Sequence, residues 1–128
     1  MTTVRFREAV EQHNLEGMLA ALADDAVLHS PITFQPFEGK RAIAGLFSVL
    51  LQVFEDFHYT DQLQSPDGTI GLIFRAHIGD REVEGIDILR FNDAGLIQDF
   101  TVMIRPKSGM DALLAAVSTK LPPKKKVE

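Results

Sequence analysis

Near the N-terminus, apolar residues return twice at helical spacing. Phe6, Ala9, Val10 and His13 fall at i, i+3, i+4 and i+7, and beyond Asn14 the spacing recurs in Leu15, Met18, Leu19 and Leu22, which predicts two short amphipathic helices. Asp24 and Asp25 end the second, and Ala26-Val27-Leu28-His29-Ser30 ahead of Pro31 reads as a short strand. A loop rich in Phe and Pro follows. From Lys40, the positions Ile43, Leu46, Phe47, Leu50 and Phe54 restore helical spacing over a longer third helix. After Glu55-Asp56 the pattern becomes strand-like and is cut by three turns, Ser65-Pro66-Asp67-Gly68, Gly79-Asp80 and Asn92-Asp93-Ala94-Gly95. These turns divide residues 57–105 into a four-stranded meander. Pro106 stops the last strand, and Ser108 with Asp111 resembles a capping box opening a helix that carries Met110, Leu113, Leu114 and Val117.

Helices gathered on one face of an antiparallel sheet make an α+β domain. A twisted sheet with a long helix laid across its concave side leaves space that side chains do not fill completely, so the order of elements predicts a pocket between them. One domain over residues 1–120 accounts for the chain, with residues 121–128, Leu-Pro-Pro-Lys-Lys-Lys-Val-Glu, expected as a mobile basic tail. The Pro123-Lys124-Lys125-Lys126 run has the look of a nuclear-import signal, but a lysine-rich end more commonly serves as a solvated tail.

Composition narrows the function classes. Of the 128 residues 45% are hydrophobic and 24% charged, with nine Phe, one Tyr and no Trp, which is the make-up of a globular domain. A net charge of −5 provides no broad basic surface for phosphates, so nucleic acid is not an expected partner. The absence of cysteine removes disulfides, thiolate metal sites and thiol nucleophiles, and it fits a cytoplasmic setting. No apolar run approaches the roughly 20 residues that cross a bilayer, and Met1-Thr2-Thr3-Val4-Arg5 runs directly into a polar helical pattern with no secretory signal. The four histidines lack paired metal-ligand spacing, and Gly39, Gly45 and Gly71 are isolated and form no phosphate loop. Neither a metal nor a cofactor is expected.

The run Leu22-Ala23-Asp24-Asp25-Ala26-Val27, the Phe37-Glu38-Gly39-Lys40 entry to the long helix, and Gly85-Ile86-Asp87-Ile88-Leu89-Arg90-Phe91 followed by Gly95-Leu96-Ile97 resemble SnoaL-type polyketide cyclases and ketosteroid isomerases of the nuclear-transport-factor-2-like (NTF2-like) superfamily. The likeness runs to about Val117 and implies an NTF2-like cone, a curved antiparallel sheet wrapped around a long helix. The superfold hosts isomerases, dehydratases, cyclases, epoxide hydrolases and binding or associating domains, so the resemblance speaks to fold more than to reaction. Ketosteroid isomerases pair an Asp base with an oxyanion hole made of a Tyr and a protonated Asp. Of these, the hole Asp is matched by Asp87. The base position ahead of the proline is Ser30, the hole Tyr corresponds to Phe6, and the supporting tyrosines correspond to Leu22 and Phe47. The extra acid that epoxide hydrolases carry on the final strand corresponds to Val102. Both mechanisms therefore lack members.

Strand alternation places Asp87 on one face with Val83, Gly85, Leu89 and Phe91. If that face looks inward, desolvation disfavours the carboxylate and leaves a neutral acid able to donate a hydrogen bond. Otherwise Asp87 serves only to bond the framework. His29 is a candidate substitute base, since an imidazole exchanges protons near neutral pH, but alternation turns it outward if Ser30 points inward. Arg75 and His77 read as outer-face residues. The resemblance places Phe6, Phe47, Phe54, Phe74 and Phe100, with Leu28, Leu50, Val102 and Ile104, around the cavity. Leu22, at a supporting tyrosine position, and Gly85, on the face of Asp87, complete the expected lining. It also implies a homodimer paired through outer sheet faces, where Ile86, Ile88 and Tyr59 would otherwise meet water. Three functions fit: cofactor-independent acid or base chemistry on a small apolar, cyclic molecule using Asp87 with His29 or Ser30; a non-catalytic carrier or sensor of such a molecule; and an association module whose cavity is filled by its own rings.

Overall fold

A computed structural model describes residues 4–120. The expected C-terminal tail lies outside the described residues. The elements run α1 (Arg5–Glu11), α2 (Leu15–Ala20), β1 (Leu22–His29), β2 (Phe37–Glu38), α3 (Lys40–Val53), β3 (Glu55–Gln64), β4 (Ile70–Ile78), β5 (Arg81–Phe91), β6 (Ile97–Arg105) and α4 (Lys107–Ser118). The six strands form one curved, unclosed sheet in the order β2-β1-β6-β5-β4-β3. The meander β3 to β6 is antiparallel throughout. β1 joins it parallel to β6, which makes the sheet mixed rather than wholly antiparallel.

The turns form where glycine relieves the backbone. Gly68, Gly79 and Gly95 all have positive φ, and Gly39 does the same at the entry to α3 with φ 91°. That helix sends Ile43, Leu46, Phe47, Val49 and Val53 into the core, so its apolar stripe faces the sheet. Two ring clusters bind helices to strands. Phe6 of α1, Phe47 of α3 and Phe100 of β6 meet with centroids 5.0 to 5.7 Å apart. Phe54, Phe57 and Phe74 form the second, and Phe57 stacks on Phe74 at 4.7 Å. α4 covers the remaining end with Leu113 and Val117 against Ala76, Ile78 and Val83.

Several local expectations are corrected. Leu22 belongs to β1 and not to α2, so β1 starts before the Asp24-Asp25 pair and both acids lie exposed within the strand. The Phe- and Pro-rich loop contains the two-residue β2, which pairs with Val27 and Leu28. α4 has no capping box: its N-cap is Pro106 without a side-chain bond, and Asp111 instead meets the Lys107 ammonium at 3.1 Å. Beside Arg90 and Phe91 the register shifts by an extra residue on β6, Gln98, and Phe91 at the end of β5, beyond the last pair with β4, is exposed while Val83, Gly85, Asp87 and Leu89 are buried. A second shift, between Tyr59 and Asp61, reverses the face of β3: Tyr59 lies opposite the inward Phe74, whereas Leu63 is exposed. Tyr59 therefore does not belong to the outer face with Ile86 and Ile88.

Candidate functional site

Between α3 and the concave face of the sheet lies a cavity of about 80 Å³. Its walls are nearly all apolar. Phe6 and Val10 come from α1, Leu28 from β1, Leu46, Phe47, Leu50 and Leu51 from α3, and Phe54 from the turn after it. Phe57 and Phe74 enter from β3 and β4, and Phe100, Val102 and Ile104 from β6. These positions converge because a strand presents every second residue to one face and α3 presents one stripe.

The acidic exception is Asp87, 6% exposed and the one ionisable carboxyl that is buried among the described residues. It sits in the middle of β5, paired with Leu72 on one side and Val102 on the other. The Tyr59 hydroxyl donates to its Oδ2 at 3.3 Å. Oδ1 has no protein partner among the described residues, and no buried polar side-chain atom there is left unsatisfied, so this oxygen opens to the cavity. Burial pushes the Asp87 carboxyl from 3.8 up to about 7, against a smaller downward pull from the Tyr59 hydrogen bond. Tyr59 is raised well above its ordinary 10, first by burial and then by the proximity of Asp87. The Arg7 guanidinium lies 5.4 Å from the Tyr59 ring centroid, and its other contacts are Glu11 Oε2 at 2.9 Å and Gln62 Oε1 at 3.1 Å. Below about pH 7 Asp87 is thus a protonated acid: with Oδ2 holding the Tyr59 hydroxyl, its own O–H on the other oxygen is the group able to donate to a ligand oxygen.

The other candidates divide. Ser30 borders the cavity, but its Oγ accepts from the Ile32 amide at 3.1 Å in a local turn. His29 does not reach the cavity: its Nε2 lies 3.2 Å from Asp99 Oδ2 on neighbouring β6, as outward alternation requires. Leu22 is sealed in the core and lines nothing. Gly85 is buried but lies behind the Phe74 ring; a Cβ there would run into that ring and sit 2.7 Å from the Met103 carbonyl oxygen. Its role is to let Phe74 form the wall. Arg75 stays on the outer face, 3.3 Å from Glu84.

Two polar site residues escaped the sequence reading, as did apolar wall positions such as Leu46 and Phe57. Tyr59 was hidden by the β3 register shift, although it is the chain's one tyrosine and lies directly across from Phe74. His13 lines the cavity from the link between α1 and α2, outside the helix to which its spacing assigned it. Among the described residues no three His, Asp or Glu side chains gather as a metal site requires, and no helix is long and apolar enough to cross a membrane.

Residues 3–100 match the model of the SnoaL-like domain. Among solved structures the chain is similar to a steroid delta-isomerase from Pseudomonas aeruginosa, at 41% identity over 88% of this chain and 82% of that one, with a TM-score of 0.84. It is also similar to an uncharacterized protein with a cystatin-like fold from Silicibacter pomeroyi, at 29% identity over 90% and 81% of the two chains and the same TM-score of 0.84. RV0760c from Mycobacterium tuberculosis matches at 25% identity over 80% of this chain and 94% of that chain, with a TM-score of 0.62. No curated protein matches the sequence. The family match covers most of the chain, and the sheet wrapped around α3 is the architecture of these neighbours: the protein belongs to the SnoaL-like domain family, with an NTF2-like cone fold.

Proposed function

We propose that this protein binds a small, mostly apolar molecule in the cone cavity, with one ligand oxygen accepting a hydrogen bond from the protonated Asp87, whose other oxygen is held by the Tyr59 hydroxyl. The observation that carries the reading is the open Oδ1 of a buried, neutral carboxyl on an otherwise greasy wall. Magnitude favours a compact ligand. Drug-sized sites run to roughly 300–1,000 Å³ and an engineered cavity of roughly 150 Å³ takes benzene, whereas the hollow here is about 80 Å³. A single ring requires modest yielding of the walls; a tetracyclic one requires the helices to part.

The reading is tested by thermal shift and calorimetry with a graded panel of phenols, monoterpenoid ketones and steroids. Monocyclic members should stabilise the protein, and Asp87→Leu, which keeps the branched outline of the carboxyl at a larger volume, should weaken their binding about tenfold or more while the fold persists. Binding that survives Asp87→Leu unchanged removes Asp87 as the anchor. Failure of every panel member favours the association module instead.

A second reading, proton transfer on such a ligand, is favoured by the similarity to the steroid delta-isomerase and by a carboxyl that titrates near pH 7. It lacks a visible base, because Ser30 stands at that position. Its check is the absorbance of a conjugated enone formed from a β,γ-unsaturated ketone, lost in Asp87→Leu. The proposal includes a homodimer through outer sheet faces, supported by the half-buried Ile86 and Ile88 and by Met103, 55% exposed beside them.

A further inference from the structure

Besides Asp87 and Tyr59, the polar side chains on the cavity wall are Ser30 and His13. Ser30 already serves its own turn. The His13 ring has no hydrogen-bond, ion-pair or ring partner among the described residues.

The backbone beneath that ring is unusual. His13 sits in the left-handed region, with φ 55°. Its amide donates to the Val10 carbonyl at 3.0 Å and the Asn14 amide donates to Ala9 at 2.8 Å, which closes α1. The Asn14 side chain then accepts from the Gly17 amide at 3.1 Å and opens α2. A left-handed residue in a helix-ending turn is best filled by glycine or asparagine, because a larger side chain crowds the following carbonyl. The turn therefore does not need an imidazole and is strained by carrying one. The side chain is exposed at the rim of the cavity, while Asp87 and Tyr59 are buried in its depth.

Charge indicates what such a ring would meet. No lysine or arginine lines the cavity among the described residues, and Glu11 and Glu16 flank His13 in sequence. An anionic ligand group would find no fixed positive charge there. An imidazole has one donor and one acceptor nitrogen in its neutral form, which complements a hydroxyl or carbonyl.

We propose that His13 is a second polar contact for the ligand, so that the pocket selects a neutral molecule with oxygen functions at both ends of a short apolar body. One oxygen meets Asp87 at depth; the other, a hydroxyl or carbonyl, meets His13 at the rim. The inference rests on the apolar-pocket reading above and adds the ligand's second end.

The test uses three phenols that differ at the far end: 4-(2-hydroxyethyl)phenol, 4-propylphenol and 4-hydroxyphenylacetate. Binding is measured by calorimetry on the full chain and on His13→Gly and His13→Asn. Glycine suits φ 55°, so His13→Gly keeps the turn and should unfold in urea at or above the wild-type midpoint. Its affinity for the alcohol should fall about fivefold or more, the loss of one hydrogen bond, and its affinity for 4-propylphenol should stay within about twofold. His13→Asn retains a donor and an acceptor and should fall between; the carboxylate should bind wild type most weakly. Equal loss for alcohol and propyl probes would make the ring a mere apolar wall and overturn the proposal, as would no loss for either or tightest binding of the carboxylate. If no phenol binds wild type, the pocket reading itself fails and this inference with it.

Discussion

Asp87 is a residue that the fold holds at a cost. In the unfolded chain its carboxyl ionises near 3.8, whereas in the native protein burial delays ionisation to about 7. Between those values the native state binds the extra proton, so this group's contribution to stability falls as pH rises and is fully lost above about 7. From pH 5 to pH 8 the loss amounts to about 2–3 kcal/mol. Asp87→Asn keeps the shape and an acceptor for Tyr59 but does not titrate. We expect urea unfolding at pH 5 and pH 8 to show that fall in wild type beyond whatever the variant shows, and Asp87→Asn to be the more stable protein at pH 8. Equal pH slopes in the two proteins would mean that Asp87 is hydrated and ordinary. Tyr59→Phe sharpens the assignment, because removing the hydroxyl withdraws the one contact that favours the carboxylate. The fall in stability should then move to higher pH. The same titration governs binding: once Asp87 ionises it has no proton to donate and repels an acceptor-only oxygen, so affinity for a neutral monoterpenoid ketone should decline above pH 7 in wild type and stay level in Asp87→Asn.

At the scale of elements, what could be read from the chain depended on whether a strand keeps its period. β4 alternates without interruption, with Leu72, Phe74 and Ala76 buried and Arg75 outside, so Phe74 stands on the cavity wall where the resemblance placed it. β5 keeps its period as far as Leu89, so the parity that groups Asp87 with Val83, Gly85 and Leu89 holds, and the structure shows that face to be the buried one. β3 does not, and an inserted residue that turns Tyr59 inward and Leu63 outward leaves no mark in the hydrophobic pattern. α2 ended early because Leu22 fits a helical stripe and a buried strand equally well, and only its pairing with Ile97 decides between them. Gly85 was assigned to the right face but to the wrong role, since sequence offers no view of a ring packed over a missing Cβ. That role yields a prediction. Gly85→Ala places a methyl against the Phe74 ring and the Met103 carbonyl, contacts that only a shift of β5 against its neighbours relieves. The expected destabilisation is about 1–3 kcal/mol by urea unfolding, with part of it recovered when Phe74→Leu is added. A neutral effect, or no coupling between the two sites, would show that Phe74 has room elsewhere and that Gly85 does not set the wall.

For the whole molecule, the cavity was legible as an architectural expectation, but its size was not, because free volume is the small difference between the space the elements enclose and the side chains that fill it. The outer face raises the complementary question of what covers apolar residues that point away from the core. Ile73, Ile86 and Met103 stand in register across β4, β5 and β6, and Ile88 continues the apolar surface one pair further along β5. Beside them Glu84 joins Arg75 at 3.3 Å and Arg105 at 3.1 Å, so the polar border satisfies its own charges and leaves the apolar row free for a flat partner. A second copy related by a two-fold axis offers the same row, and self-complementary patches of this kind are what closed dimers use. Under that symmetry Ile86→Lys introduces two ammonium groups into one desolvated interface, where like charges repel and Glu84, two residues along the strand, is already shared by Arg75 and Arg105. Sedimentation at micromolar concentration should therefore give a dimer for wild type and a monomer for Ile86→Lys. Because the cavity opens on the opposite side of the sheet, phenol affinity should remain within about twofold of wild type. A monomeric wild type at the highest soluble concentration would leave the apolar row a bare surface, and the ligand pocket would then have to stand as the function of a single chain.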